Sequence, residues 1–122
     1  NRQGEFDKSM DALKARAEKE PNNPEAFYTI AQFYWEKAYR DFTISDADKM
    51  KFVMAGNEAI DKAIQLKADY PEALTYKGLL LRVQANLEKN PTRQQELVKE
   101  AGVYSSKAQE VQQKQRAAGA GD

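Results

Sequence analysis

The chain repeats itself at long range. Pro24-Glu25-Ala26-Phe27 returns as Pro71-Glu72-Ala73-Leu74, and Asp61-Lys62-Ala63-Ile64-Gln65-Leu66 returns as Ser106-Lys107-Ala108-Gln109-Glu110-Val111, with Phe52 and Val53 answering to Leu97 and Val98. Two blocks recurring at nearly the same offset mark one structural unit used twice. The unit has room for a pair of helices, and one pair is too thin to bury its own apolar face, so neighbouring pairs must stack.

Punctuation divides the chain into five helices, predicted at about 5–20, 24–40, 46–68, 71–89 and 92–116. Phe6, Met10, Leu13 and Ala17 form one stripe of the first helix, which Pro21-Asn22-Asn23 ends. Asn23 caps the second, with Pro24 in the first turn, where a missing N–H costs nothing. Ser45 with Asp48 has capping-box spacing ahead of the third, Pro71 opens the fourth, and Thr92 with Gln95 offers a second capping box for the fifth. Residues 1–116 are expected to form one helical domain and 117–122 a loose tail.

Composition excludes whole classes of chemistry. There is no cysteine and no histidine, so thiol catalysis, imidazole acid/base work, disulfides and the usual zinc ligand sets are impossible. Nineteen basic residues balance nineteen acidic ones, which leaves no net field to draw in nucleic acid. No apolar run approaches the length of a membrane span, so no direct membrane insertion is expected. Nucleophile–base pairs, glycine-rich phosphate loops and paired carboxylates in an evident cleft are not recognisable, and the expectation is a non-catalytic protein without cofactor or metal. Asp41, Asp46 and Asp48 cluster near a turn but lack calcium-loop spacing and its glycine. Asn1 is not a methionine, and the compartment stays open between cytoplasm and cell envelope.

At these residues the chain resembles the tetratricopeptide repeat family, whose units are antiparallel helix pairs of about 34 residues. Gly4-Glu5-Phe6-Asp7-Lys8-Ser9-Met10 resembles the start of the family's second helix, and Pro21-Asn22-Asn23-Pro24-Glu25-Ala26-Phe27 its inter-repeat joint. Phe27, Ile30, Ala31 and Tyr34 fit the order of the first helix; Leu74, Gly78 and Leu81 repeat it, with Lys77 replacing a hydrophobic residue. Gly56, Ile60 and Ala63 match the small, bulky, small order of the second helix, and Ala101, Ser105 and Ala108 match it more weakly. Both pairs exceed the usual repeat by about a dozen residues, which implies extended helices or longer loops at 42–48 and 88–94. The resemblance implies an all-α fold, a short right-handed solenoid of about two and a half repeats in which the first helix is half of an incomplete pair.

The second helix holds Phe27, Tyr28, Phe33, Tyr34, Trp35 and Tyr39. Beside the core stripe of Phe27, Ala31, Tyr34 and Ala38, a second stripe carries Tyr28, Gln32, Trp35 and Tyr39. In the family that face lines a concave groove where ligands dock, and the matching positions in the next pair are Thr75, Leu79 and Arg82. Two readings of the stripe stand: a docking groove, or aromatic packing against neighbouring helices. The carboxylate clamp of some family members is largely missing, since Tyr28 and Thr75 stand where its basic residues belong and Arg82 is the one convincing cation. The closing Gln112-Gln113-Lys114-Gln115-Arg116 run reads as a solvated face.

The function these residues imply is a protein-interaction scaffold holding a partner peptide, helix or subunit in that groove. Alternatives are a structural subunit that forms homodimers through an uncovered edge at Phe6, Met10 and Leu13, or a peripheral assembly subunit of a larger, membrane-bound complex.

Overall fold

The computed structural model describes residues 1–120; residues 121–122 lie outside the described part. It contains five α-helices, α1 (Arg2–Lys19), α2 (Pro24–Arg40), α3 (Asp46–Leu66), α4 (Pro71–Leu87) and α5 (Pro91–Ala120), and no strand among the described residues.

Local chemistry sets most of the boundaries. Asn23 Oδ1 accepts from the Glu25 amide at 3.0 Å, with Pro24 opening the helix, and Ser45 Oγ accepts from the Asp48 amide at 3.1 Å. α4 has no side-chain cap, but Pro71 at its first turn needs none for its own nitrogen. Six boundaries differ from expectation: α1, α3 and α4 end one or two residues early, at Lys19, Leu66 and Leu87, and three other ends move for local reasons. α1 starts at Arg2 because Asn1 Oδ1 accepts from the Gly4 amide at 2.6 Å. α5 starts at Pro91, and its cap is Asn90, whose Oδ1 takes the amides of Thr92 and Arg93 at 3.0 and 3.1 Å. The expected Thr92 capping box yields to an asparagine already in place two residues earlier. α5 then continues through Ala117 and Ala118 to Ala120, where a loose tail is expected from the sequence; no breaker stands between Arg116 and Gly119, and alanine is the best helix former.

The length beyond the usual repeat goes into helices, with α3 spanning 21 residues and α5 spanning 30, while the joints at 41–45 and 88–90 stay short. The second joint is tied: Gln94 Nε2 donates to the Ala85 carbonyl at 2.8 Å, serving an acceptor at the end of α4.

The helices pack as an open row. α2 lies against α3, α3 against α4, α4 against α5 and α1 against α2; α2 also meets α4, and α5 touches neither α1 nor α2. Ala38 with Val53 and Ala31 with Ile60 fix α2 and α3 as antiparallel, and Ala31 with Leu80 and Ala38 with Val83 set α2 parallel to α4. This packing is consistent with a helical repeat. Fully buried Ile60, Leu74, Leu80, Leu97 and Val53 run along the row, each stabilising by about 1.5–3 kcal/mol relative to exposure.

Two glycines make the closest approaches possible. A Cβ on Gly56 would stand 2.9 Å from Leu80 Cδ2 and 3.3 Å from Tyr34 Cβ; one on Gly78 would stand 3.0 Å from Ser105 Oγ and 3.3 Å from the Ala101 carbonyl. Both positions are the small residues read from the repeat.

The expected uncovered edge on α1 is partly covered at the predicted residues. Met10 is 3% exposed, and Phe6 and Leu13 pack on the same cluster with Ile30 and Tyr34. Phe6 meets Tyr34 and Phe52 edge-on at 6.1 and 5.4 Å. The stripe faces α2, and what α1 turns outward is mostly polar, with Asp7, Lys8, Asp11 and Lys14 exposed. Met10 is thus unavailable to a homodimer edge, while Phe6 and Leu13 are half-buried and keep part of their surface open.

Candidate docking face

The predicted stripe of α2 meets α4 along an aromatic seam whose centre is Tyr76. Tyr28 meets Tyr76 edge-on at 5.4 Å and Tyr70 at 5.4 Å, and Trp35 meets Tyr76 at 5.5 Å with the rings perpendicular. Gln32 Nε2 donates to the Tyr76 hydroxyl at 3.3 Å. Tyr39 then stacks on Trp35 at 4.9 Å, nearly parallel, and is itself 58% exposed. Such ring pairs add about 0.5–1.5 kcal/mol each beyond burial.

The two readings of the stripe thus apply to different residues. Tyr28 and Trp35 are half-buried between α2 and α4, as aromatic packing requires; Tyr39 faces solvent, as a groove requires. Trp35 belongs to both. Its ring packs with the clusters around Ala31 and Ala38, and its indole Nε1 is buried without a hydrogen-bond partner, an arrangement that weakens the seam at its outer end. On α4, Thr75 is exposed and its Oγ1 donates to the Pro71 carbonyl at 3.0 Å. Leu79 is half-buried, and Arg82 is exposed with no ion pair among the described residues. No hydrogen bond or ring contact joins Thr75, Leu79 or Arg82 to the aromatic stripe; they flank it on the next stripe of α4.

Tyr70 and Tyr76 are the site residues that sequence reasoning missed. Tyr76 belongs to the α4 stripe Tyr76, Leu80, Val83 and Leu87, which reads as core, and Tyr70 sits in a joint. A signal was present nonetheless: Tyr76 lies one stripe over from Thr75.

No protein-family model, curated protein or solved structure gives a significant match to this chain.

Electrostatics of the seam are those of neutral phenols. Burial, then the neighbouring Tyr28, pushes the Tyr70 hydroxyl up to about 12, and burial followed by Tyr76 raises Tyr28. Protonated phenols at neutral pH offer hydrogen bonds and apolar area but are poor bases and nucleophiles. At the acidic turn, Asp41 accepts from Lys37 Nζ at 2.6 Å and from the Thr43 amide at 2.9 Å, and these bonds hold its carboxyl well below the usual range. That carboxylate is committed. No group of three or more His, Cys, Asp or Glu side chains able to hold a metal occurs among the described residues, and none of their helices is long and apolar enough to cross a membrane.

A polar cluster unseen in the sequence lies on the other side of α4. Lys77, 7% exposed, donates to Asn57 Oδ1 at 3.1 Å and pairs with Asp61 Oδ1 at 3.0 Å, with the Tyr104 ring 5.9 Å away. Asn57 Nδ2 donates onward to Gln84 Oε1 at 3.3 Å. These residues tie α3, α4 and α5 together.

Proposed function

We propose that this chain is a non-catalytic docking module of tetratricopeptide type, a short right-handed stack of helix pairs whose α2–α4 face receives a segment of another protein. Support for the stack comes from the contact order: α2 meets α4 past the intervening α3, and the row does not close on itself. The observation that carries the docking reading is the aromatic surface running from Tyr28 through Tyr76 and Trp35 to the exposed Tyr39. It is rigid on its inner side and open at its outer end, the combination interface anchors favour.

In this reading a partner's apolar side chain packs against Tyr39, the outer edge of Trp35 and Leu79. Arg82, exposed and without an ion pair among the described residues, fixes register through a carboxylate or a backbone carbonyl, and Gln32 contributes its remaining hydrogen-bonding capacity. A partner peptide and a larger subunit would use the same face.

A photo-reactive phenylalanine analogue at position 39, introduced in cells that make the protein, tests this. The expected result is a cross-link to one discrete protein segment, with no such product from the same analogue at Val103, which is 60% exposed on α5. Equal, diffuse cross-linking from both positions would overturn the reading.

A further inference from the structure

The junction around α4 shows what the junction around α2 lacks. Counted from Pro71 and Pro24, Asp61 on α3 and Lys77 on α4 answer to Lys14 on α1 and Ile30 on α2; counted from Ser106 and Asp61, Tyr104 on α5 answers to Ala59 on α3. Around α4 the three positions complete one another. The Asp61 carboxylate holds the Lys77 amine at 3.0 Å, and the Tyr104 ring lies 5.9 Å from that amine. Around α2 an amine stands in place of the carboxylate, an isoleucine in place of the lysine and a methyl group in place of the ring. A hollow of about 590 Å³ stays open there over Phe27, Ile30 and Ala59. Its floor is α2 and its walls are α1 and α3. Since the counterpart is closed by side chains of its own floor and walls, what the hollow lacks is the volume of side chains, not that of a helix.

We infer that the cleft between α1 and α3 is a binding site for a small aromatic carboxylate. Its ring system lies on Ile30 and Ala59, in the space that Tyr104 fills around α4, and its carboxylate pairs with the amines of the rim. Charge favours that sign. Lys14 Nζ stands 5.7 Å from the Tyr34 ring centroid on one wall and Lys62 lines the other, and neither makes an ion pair among the described residues. Of the two carboxylates that line the hollow, Asp61 is committed to Lys77, which leaves Glu58 facing two amines. A carboxylate at Lys14 restores the ion pair of the other junction with the signs exchanged, and such charge-assisted hydrogen bonds fix orientation. The volume lies within the roughly 300–1,000 Å³ of small-molecule sites. The cleft shares no residue with the face of Tyr28, Trp35 and Tyr39, and the inference stands or falls without that face.

The probe is naphthylacetate, titrated into the full chain and followed by amide chemical shifts. It is expected to bind with a Kd below about 1 mM and to move the signals of Ala55, Glu58 and Ala59. Naphthylethylamine, the same rings with the opposite charge, should bind at least about tenfold more weakly. Lys14→Glu should weaken naphthylacetate by a similar factor, and Ala59→Tyr, which supplies the ring of the other junction, should occupy the cleft and abolish binding. Lys14 is exposed, so its variant should melt with the wild type and keeps the test decisive if the added ring of Ala59→Tyr disturbs folding. No shift at about 1 mM probe, equal affinity for the amine, or unchanged binding to the Lys14→Glu protein overturns the inference. So does sedimentation showing a wild-type dimer that Lys14→Glu dissolves, since the occupant is then a second copy.

Discussion

The two junctions of the row are built on the same frame and closed in different ways. In the first, α1 and α3 flank α2 above Phe27, Ile30 and Tyr34, and a hollow of about 590 Å³ stays open between Lys14 on one wall and Ala55, Ala59 and Lys62 on the other. In the second, α3 and α5 flank α4 above the equivalent Leu74, Lys77 and Leu81. There the lysine reaches across to Asn57 and Asp61 and lies 5.9 Å from the Tyr104 ring, and Gly78 lets α5 approach within van der Waals distance. One exchange, Ile30 for Lys77, accompanies the change from an open cleft to a hydrogen-bonded closure. An irregular position in a repeat therefore need not be a weak one, provided that the neighbouring helix supplies its partners.

The largest effect is expected at the glycine shared by both junctions. Gly56→Leu forces a side chain between Tyr34 and Leu80 and should cost about 3 kcal/mol or more in chemical denaturation. Ile30→Lys would carry the second junction's lysine into the first, where Met10 stands and no asparagine waits; a loss of about 3 kcal/mol is expected. If Ile30→Lys were neutral, the partners would not be what makes Lys77 tolerable. Lys77→Ala should cost about 2–3 kcal/mol, because it leaves a cavity and an underserved Asn57. Lys77→Met, which refills the space, should lose at most about 1 kcal/mol. Asp61→Asn should lie within about 0.5 kcal/mol, its side chain being 57% exposed.

Much of this frame was legible in the sequence and its weakest points were not, for a physical reason. Caps and prolines act within a few residues, so Asn23, Ser45, Pro24 and Pro71 mark their helices correctly. Asn90 was overlooked beside an equally plausible Thr92. The Lys77 cluster was illegible because Asn57, Gln84 and Tyr104 are brought to it only by packing, and the sequence shows a lysine where a hydrophobic residue belongs. Of the candidate site, the stripe Tyr28, Gln32, Trp35 and Tyr39 was visible from spacing. Its division into a packed inner part and an exposed Tyr39 depends on Tyr70 and Tyr76, which approach from another helix. The stripe on α1 was also visible, but spacing alone could not say that it faces α2.

The seam offers a smaller, pH-dependent test of that division. An unfolded tyrosine ionises near 10, whereas folded Tyr70 holds its proton up to about 12. The folded state thus binds more protons between those values, so this contribution to stability is complete below about pH 10 and is lost as pH rises through 12. Ultraviolet titration should show one phenol ionising last, and Tyr70→Phe should remove that step. A single transition near 10 for all six tyrosines would mean that the seam is wetter than its ring contacts require.

Retention of the cross-linked partner by Tyr39→Ala with Arg82→Ala tests the docking account most directly. Both side chains are exposed, and the lost Tyr39–Trp35 stack costs about 0.5–1.5 kcal/mol, so the double variant should stay folded and melt no more than about 8 °C below wild type. The partner should nevertheless be lost at least about tenfold, measured by quantitative recovery from the cells of origin. Full retention by the folded variant would contradict the account and leave the aromatic seam as packing alone.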